Sequence, residues 1–205
     1  AHATYGSLES CDLTETGKVL YFSENNLTNW AADNYDPVAP GQPFGWNGGI
    51  ALSSTAYLAG WFGPVEEVDD PYPNPGSWQQ LTVRQHIQKV YFLPDRTGPL
   101  DNDIIKSAVM QYGAVYTSMY YDDAYFNYST NAYYFSGSEY GNHAVCIVGW
   151  DDNYPKTNFS TQPPGDGAFI VRNSWGSSWG EGGYFYISYY DTAIGIENVV
   201  FTAGE

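Results

Sequence analysis

The chain has 205 residues, long enough for one domain or for two closely packed lobes around a sizeable core. Seven basic residues against 23 acidic ones leave a net charge of −16, which argues against nucleic acid or an anionic membrane surface as a partner. No apolar run approaches the roughly 18 residues that cross a bilayer, and the two cysteines, Cys11 and Cys146, make no disulfide framework.

Twenty Tyr and seven Trp beside few Lys give the chain the look of an extracellular protein. Asn-x-Ser/Thr triplets at Asn26, Asn127 and Asn158 permit glycosylation if the chain is exported. No basic-then-apolar leader stands at Ala1, so an export signal is expected upstream of it. The acidic clusters at Glu66–Asp70, Asp122-Asp123 and Asp151-Asp152 lack EF-hand spacing and read as solvated loop charge. No metal and no cofactor are expected.

Ala1–Cys11 reads as a helix already under way, with no N-cap and no first-turn acid, so its start is expected upstream. Gly17 is its stop. Ser23 is the expected N-cap of a short second helix. Residues 33–48 are a Pro-, Gly- and Asn-rich loop that runs into Gly48-Gly49. Ile50–Phe62 carries apolar residues at helical spacing and predicts a third helix, stopped by Gly63-Pro64. An acidic, Pro-rich loop follows over 64–78. The second half of Leu81–Leu93 reads as strand. Asp101 is the expected N-cap of a helix to Tyr112, closed by Gly113. Ala114–Tyr120 alternates as a strand, and 122–140 reads as a Tyr-, Asn- and Ser-rich loop. From His143 onward the pattern is strands and Gly-rich turns. A mainly helical half followed by a mainly β half predicts an α+β fold of two unlike lobes, 1–100 and 101–205.

The least ordinary stretch is Arg172–Ile187. An apolar strand (Ala168–Val171) runs straight into Asn173-Ser174-Trp175 and a Gly-rich loop, and an aromatic strand follows. Strands tolerate Gly poorly, so so much Gly between strands marks a built turn. His143 lies upstream in Asn142-His143-Ala144-Val145, before Gly149-Trp150. Together with Arg172-Asn173-Ser174-Trp175-Gly176 and Trp179-Gly180-Glu181-x-Gly183-Tyr184, these residues resemble the papain-like cysteine peptidases. Trp46-Asn47-Gly48-Gly49 resembles that family's Cys-Asn-Gly-Gly loop, with Trp in place of a disulfide Cys. Asp70-Pro71-Tyr72-Pro73 is similar to its Tyr-Pro-Tyr segment, and Asp101–Tyr120 to its helix–strand unit.

The resemblance implies a papain-like two-lobe fold, with a helical left lobe, an antiparallel β-barrel-like right lobe and a cleft between them. It implies a Cys-His-Asn endopeptidase acting on peptides or proteins. His143 would be the base and then the acid, Asn173 its orienting partner and Trp175 the shield over their bond. Gly48 and Gly49 would pair with an extended substrate, and Asn142 would offer its backbone carbonyl. The family's helix opens on the nucleophile, and alignment puts that cysteine two residues before Ala1, about 145 residues before His143. Cys11 lies roughly 18 Å along the same helix from that position. Cys146 follows His143 by three in a strand and so points to the opposite face. Both read as buried structural thiols, His2 as structural and His86 as a surface residue.

The expectation is therefore an exported or cell-surface cysteine peptidase, with room for further domains in a larger surface protein, whose segment 1–205 is inactive alone. The acidic loops predict a preference for basic or uncharged peptides. The alternative is a non-catalytic domain of the same fold, serving as a structural or peptide-binding module at a cell surface.

Overall fold

The computed structural model describes residues 1–34, 48–87 and 89–203, so Trp46 and Asn47 lie outside the described residues. Two compact units emerge: Ala1–Tyr91 with the residues from Phe201 onward, and Phe92–Val200.

The first unit is helical. α1 (His2–Thr16) has no side-chain N-cap and no acid in its first turn, and it ends where Gly17 turns left-handed (φ 70°) and donates to Leu13 O. Ala3 through Leu8 are all buried. A helix closed in on every side must satisfy its polar residues internally. Thr4 does so on Ser54 Oγ at 2.7 Å, and Ser7 Oγ accepts from Phe201 N at 3.2 Å.

α2 (Glu24–Asn34) is capped as expected, with Ser23 Oγ accepting from Asn26 N at 2.9 Å. Asn25, Asn26 and Asn29 are buried rather than solvated. Asn25 and Asn26 donate to the two carboxylate oxygens of Asp70 at 2.6 and 2.9 Å. Asn25 Oδ1 accepts from Asn74 N, and Asn29 Oδ1 from Gly76 N. The Pro-rich loop has few backbone partners of its own, and this row of side chains supplies them. Asn26 Oδ1 also takes the Tyr57 hydroxyl (2.8 Å) and the Trp78 indole N–H (3.0 Å). Its amide is fully spent and buried, so this sequon is closed to a glycan in the folded chain.

α3 (Ala51–Ala59) is shorter than the periodicity predicts. Gly60 N–H closes it onto Ala56 O, and Trp61 turns left-handed (φ 59°), before Gly63-Pro64 is reached.

The second unit holds α4 (Asp103–Tyr112) and most of a sheet. The N-cap of α4 is Asn102, one residue later than expected; Asp101 instead accepts from Thr97 N and Oγ1 at 3.0 and 2.7 Å. The strands are β1 (Val90–Phe92), β2 (Val115–Met119), β3 (Phe126–Asn127), β4 (Ala132–Tyr133), β5 (His143–Asp151), β6 (Ala168–Arg172), β7 (Tyr184–Ser188) and β8 (Ile196–Phe201). Their order is β1-β8-β2-β5-β6-β7-β4-β3. The α+β class holds, but the β unit is an open sheet rather than the expected barrel-like one. Its outermost strands β1 and β3, three and two residues long, stand at opposite ends of that order and are not paired with one another among the described residues, so the sheet is not closed into a barrel. Residues 122–140 are also more than a loop, because they contain β3 and β4. β4 pairs parallel with β7 (Ala132↔Tyr186), a distant partner that no local hairpin signal announces.

One face of this sheet packs a core that includes Val145, Ile147, Phe169, Val171, Phe185 and Ile187. Strand parity then places two polar residues. His143 shares its side of β5 with Val145 and Ile147. Asn173, just past β6, shares its side with Phe169 and Val171.

Candidate active site

β5 and β6 are antiparallel, with Cys146 opposite Arg172 and Ile147 opposite Val171. Carrying that register three residues further puts position 175 across from His143. The side chains bear this out. The imidazole of His143 stacks on the indole of Trp175, with ring centroids 4.9 Å apart and planes 19° apart. His143 Nε2 lies 2.9 Å from Asn173 Oδ1.

The direction of that bond follows from a neighbour. The same Asn173 oxygen accepts the backbone N–H of Ser174 at 2.8 Å. A backbone N–H can only donate, so the atom facing it is the amide oxygen. An oxygen can only accept, so His143 Nε2 carries the hydrogen and donates it. In the neutral ring, Nδ1 is then the basic nitrogen. Asn173 is itself buried, and its backbone N–H is held by Gly183 O at 2.9 Å. Its Nδ2 is buried with no hydrogen-bond partner among the described residues. An unpaired buried donor costs on the order of 1–3 kcal/mol, so this amide is not arranged for stability alone.

The Gly-rich turn lets β6 end at the site and return as β7. Gly180 has φ 59°, and a Cβ there would stand 2.4 Å from Tyr184 O. Trp179 fills the space beneath, edge-on to Trp175 (5.0 Å, 87°) and to Phe185 (5.1 Å, 81°). Trp175 keeps 42 % of its surface exposed, so the indole is a lid with one wet side.

Asn142 immediately precedes the imidazole, and its side chain has work of its own. Its Oδ1 accepts from Tyr121 N at 2.7 Å, and its Nδ2 donates to Tyr121 O at 3.0 Å. Tyr121 was not marked by any motif. Its ring meets Trp175 edge-to-face at 4.7 Å and 83°. Of the site residues expected from sequence, His143, Asn173, Trp175 and Asn142 are brought together in this unit. Gly48 and Gly49 belong to the first unit, where both are exposed and Gly48 has φ 136°.

Neither cysteine has the character of a nucleophile. Both are buried and neither forms a disulfide. Burial pushes the Cys11 thiol up to about 11, and its sulfur accepts from Ala203 N at 3.4 Å. It is a thiol at neutral pH, whereas attack requires the thiolate.

A model described as "Papain family cysteine protease" matches residues 1–203. The chain belongs to the papain family of cysteine proteases.

Among papain-family relatives, mouse cathepsin K is 29% identical over 204 residues, which are 97% of this chain and 56% of that protein. A cysteine protease of Blomia tropicalis is 29% identical over 209 residues, 98% of this chain and 57% of the other. The chain thus spans little more than half the length of these curated relatives. The solved cysteine protease and lectin-like domains of Cwp84, a surface layer associated protein of Clostridium difficile, match with 29% identity and a TM-score of 0.83 over 99% of this chain and 46% of that one. Bromelain from Ananas comosus, solved with the E64 inhibitor, matches at 20% identity with a TM-score of 0.71 over 98% of this chain and 86% of that one, a likeness of fold alone. The fold is papain-like, and no helix of the described residues is long and apolar enough to cross a membrane.

Proposed function

We propose that this chain supplies the His–Asn part of a Cys-His-Asn endopeptidase site, and that the attacking cysteine comes from the parent protein upstream of Ala1. The observation that carries this reading is the directed bond from His143 Nε2–H to Asn173 Oδ1 under the Trp175 ring. It leaves Nδ1 as the atom to take a proton from a thiol. The resulting imidazolium pairs with the thiolate, then gives the proton to the leaving amine as the peptide bond breaks. Asn173 fixes the plane of the ring, and Trp175 keeps water off the bond. The burial of both cysteines supports a nucleophile from elsewhere.

Substrates are peptides or proteins. Gly48 and Gly49 of the first unit offer their backbone to an extended substrate, and Asn142 of the second offers its backbone carbonyl. With a net charge of −16, basic or uncharged peptides are preferred. The Tyr- and Trp-rich composition and the likeness to a surface layer associated protein support an exported or cell-surface protein with further domains. By this reading the given segment alone has no turnover.

The test is His143→Ala in the full-length protein. Peptidase activity is expected to be lost to below about a thousandth of wild type. Undiminished turnover in the variant would overturn the role of His143, whereas a full-length wild-type protein with no turnover at all would favour a non-catalytic module.

A further inference from the structure

Trp175 sits on a turn between Asn173 and a left-handed Gly176 (φ 86°), with 42 % of its surface in solvent. Such a backbone does not by itself fix a large ring. What holds the indole flat over the imidazole is a pair of edge-on aromatic contacts, Trp179 at 5.0 Å and Tyr121 at 4.7 Å. Tyr121 also reaches the imidazole of His143 itself, at 6.3 Å and 70°.

Tyr121 is fixed on every side. Its backbone N–H and C=O are both taken by the side chain of Asn142, the residue before His143. Its ring stacks on Tyr133 at 5.4 Å and 16°. Tyr133 is fully buried, donates its hydroxyl to Tyr120 O at 2.7 Å and accepts from Asp122 N at 3.2 Å. The Tyr121 hydroxyl points outward to Asp123 Oδ1 at 3.2 Å. So the ring faces the site, and the hydroxyl is engaged away from it.

We infer that Tyr121 is a positioning residue: its ring, braced by Asn142 and Tyr133, presses the Trp175 indole over the His143–Asn173 bond. The inference rests on the catalytic reading of His143. Tyr121 acts chiefly through Trp175, whose ring it meets at 4.7 Å, against 6.3 Å to the His143 imidazole, and its hydroxyl is turned to Asp123. An edge-to-face pair needs the aromatic edge, so Phe serves and an aliphatic residue does not.

The experiment compares Tyr121→Ala, Tyr121→Leu and Tyr121→Phe in the full-length protein. The first two are expected to lower kcat about ten-fold with KM within about two-fold, because a displaced lid loosens the ring geometry. Tyr121→Phe is expected to stay within about two-fold of wild type, since only the outward hydroxyl contacts with Asp123 and Tyr128 are lost. If Tyr121→Ala fails to fold, Tyr121→Leu keeps the volume and carries the test. In a Trp175→Ala background Tyr121→Leu is expected to have no further effect, which a merely structural role would not produce. A second readout needs no turnover: solvent exchange of the His143 Nε2–H proton, followed by NMR, is expected to rise about ten-fold in Tyr121→Leu and not in Tyr121→Phe. A loss carried by KM, a failure of Phe to rescue, or unchanged Nε2–H exchange overturns the inference. Retained turnover in His143→Ala would instead overturn the catalytic reading, while the exchange measurement still decides the role of Tyr121.

Discussion

His143 opens β5 and Asn173 directly follows β6, on the same side of two neighbouring antiparallel strands, and their side chains meet at 2.9 Å. The bond is thus a product of sheet register. It is also an imperfect use of Asn173, whose Nδ2 is buried without a partner among the described residues.

That imperfection separates activity from stability. Asn173→Ala removes the acceptor that orients the ring, and kcat/KM of the full-length protein is expected to fall about ten- to a hundred-fold, less than for His143→Ala. Stability is expected to change by less than about 1 kcal/mol, because loss of the two Oδ1 bonds is offset by removal of the stranded Nδ2. Urea denaturation beside steady-state kinetics checks both halves. Full activity, or a large destabilisation with a matching loss of activity, would count against an orienting role.

Asn26 is expected to behave in the opposite way. Its oxygen takes Tyr57 and Trp78, and its nitrogen gives to Asp70 and to Gln79 O at 3.2 Å. Asn26→Ala strands four polar groups in a buried network, so a loss of about 3 kcal/mol or more is expected. Asn29→Ala, which gives up bonds to Gly76 N and Asn74 O among others, is expected to cost less than Asn26→Ala. Equal urea midpoints for the two variants would show that the Asn26 network is not the fastener of the 70–79 loop.

These two asparagines show how far the sequence could be read. Signals local to the chain were legible: Gly17 as a helix stop, Ser23 as a cap, and the His143 and Asn173–Trp175 motifs. Relationships set by distant partners were not. Nothing local to α2 marks Asn25, Asn26 and Asn29 as buried, and only the loop that docks on them makes them interior. Asp101 has cap chemistry, but Thr97 claims its carboxylate first. β4 is invisible until β7 offers an edge. Tyr121 is one tyrosine among 20, and nothing in its neighbours says that its ring will find Trp175.

The last prediction concerns pH and a carboxyl group outside the site. Asp191 is buried beside the Arg96 guanidinium, and its oxygens accept from Phe135 N (2.9 Å), Ala193 N (2.9 Å) and Ile194 N (3.0 Å). Burial pushes it up to about 6 against the pull of those three donors and of Arg96. In the unfolded chain an aspartate titrates near 3.9, so between about pH 4 and pH 6 the folded form holds a proton that the unfolded form has lost. The contribution of Asp191 to stability is therefore fully present below about pH 4 and is lost as the pH rises through about 6. Asp191→Asn cannot titrate. It still offers one oxygen to three donors and turns its NH₂ toward another N–H, so it is expected to be less stable than wild type throughout. Its stability should nevertheless fall less between pH 5 and pH 7.5 than that of wild type, by on the order of 1–2 kcal/mol. Urea denaturation at the two pH values measures the difference, and the carboxyl carbon of Asp191 followed by NMR gives its midpoint directly. A midpoint at or below about 4, with parallel pH dependences for the two proteins, would mean that the three N–H donors outweigh burial.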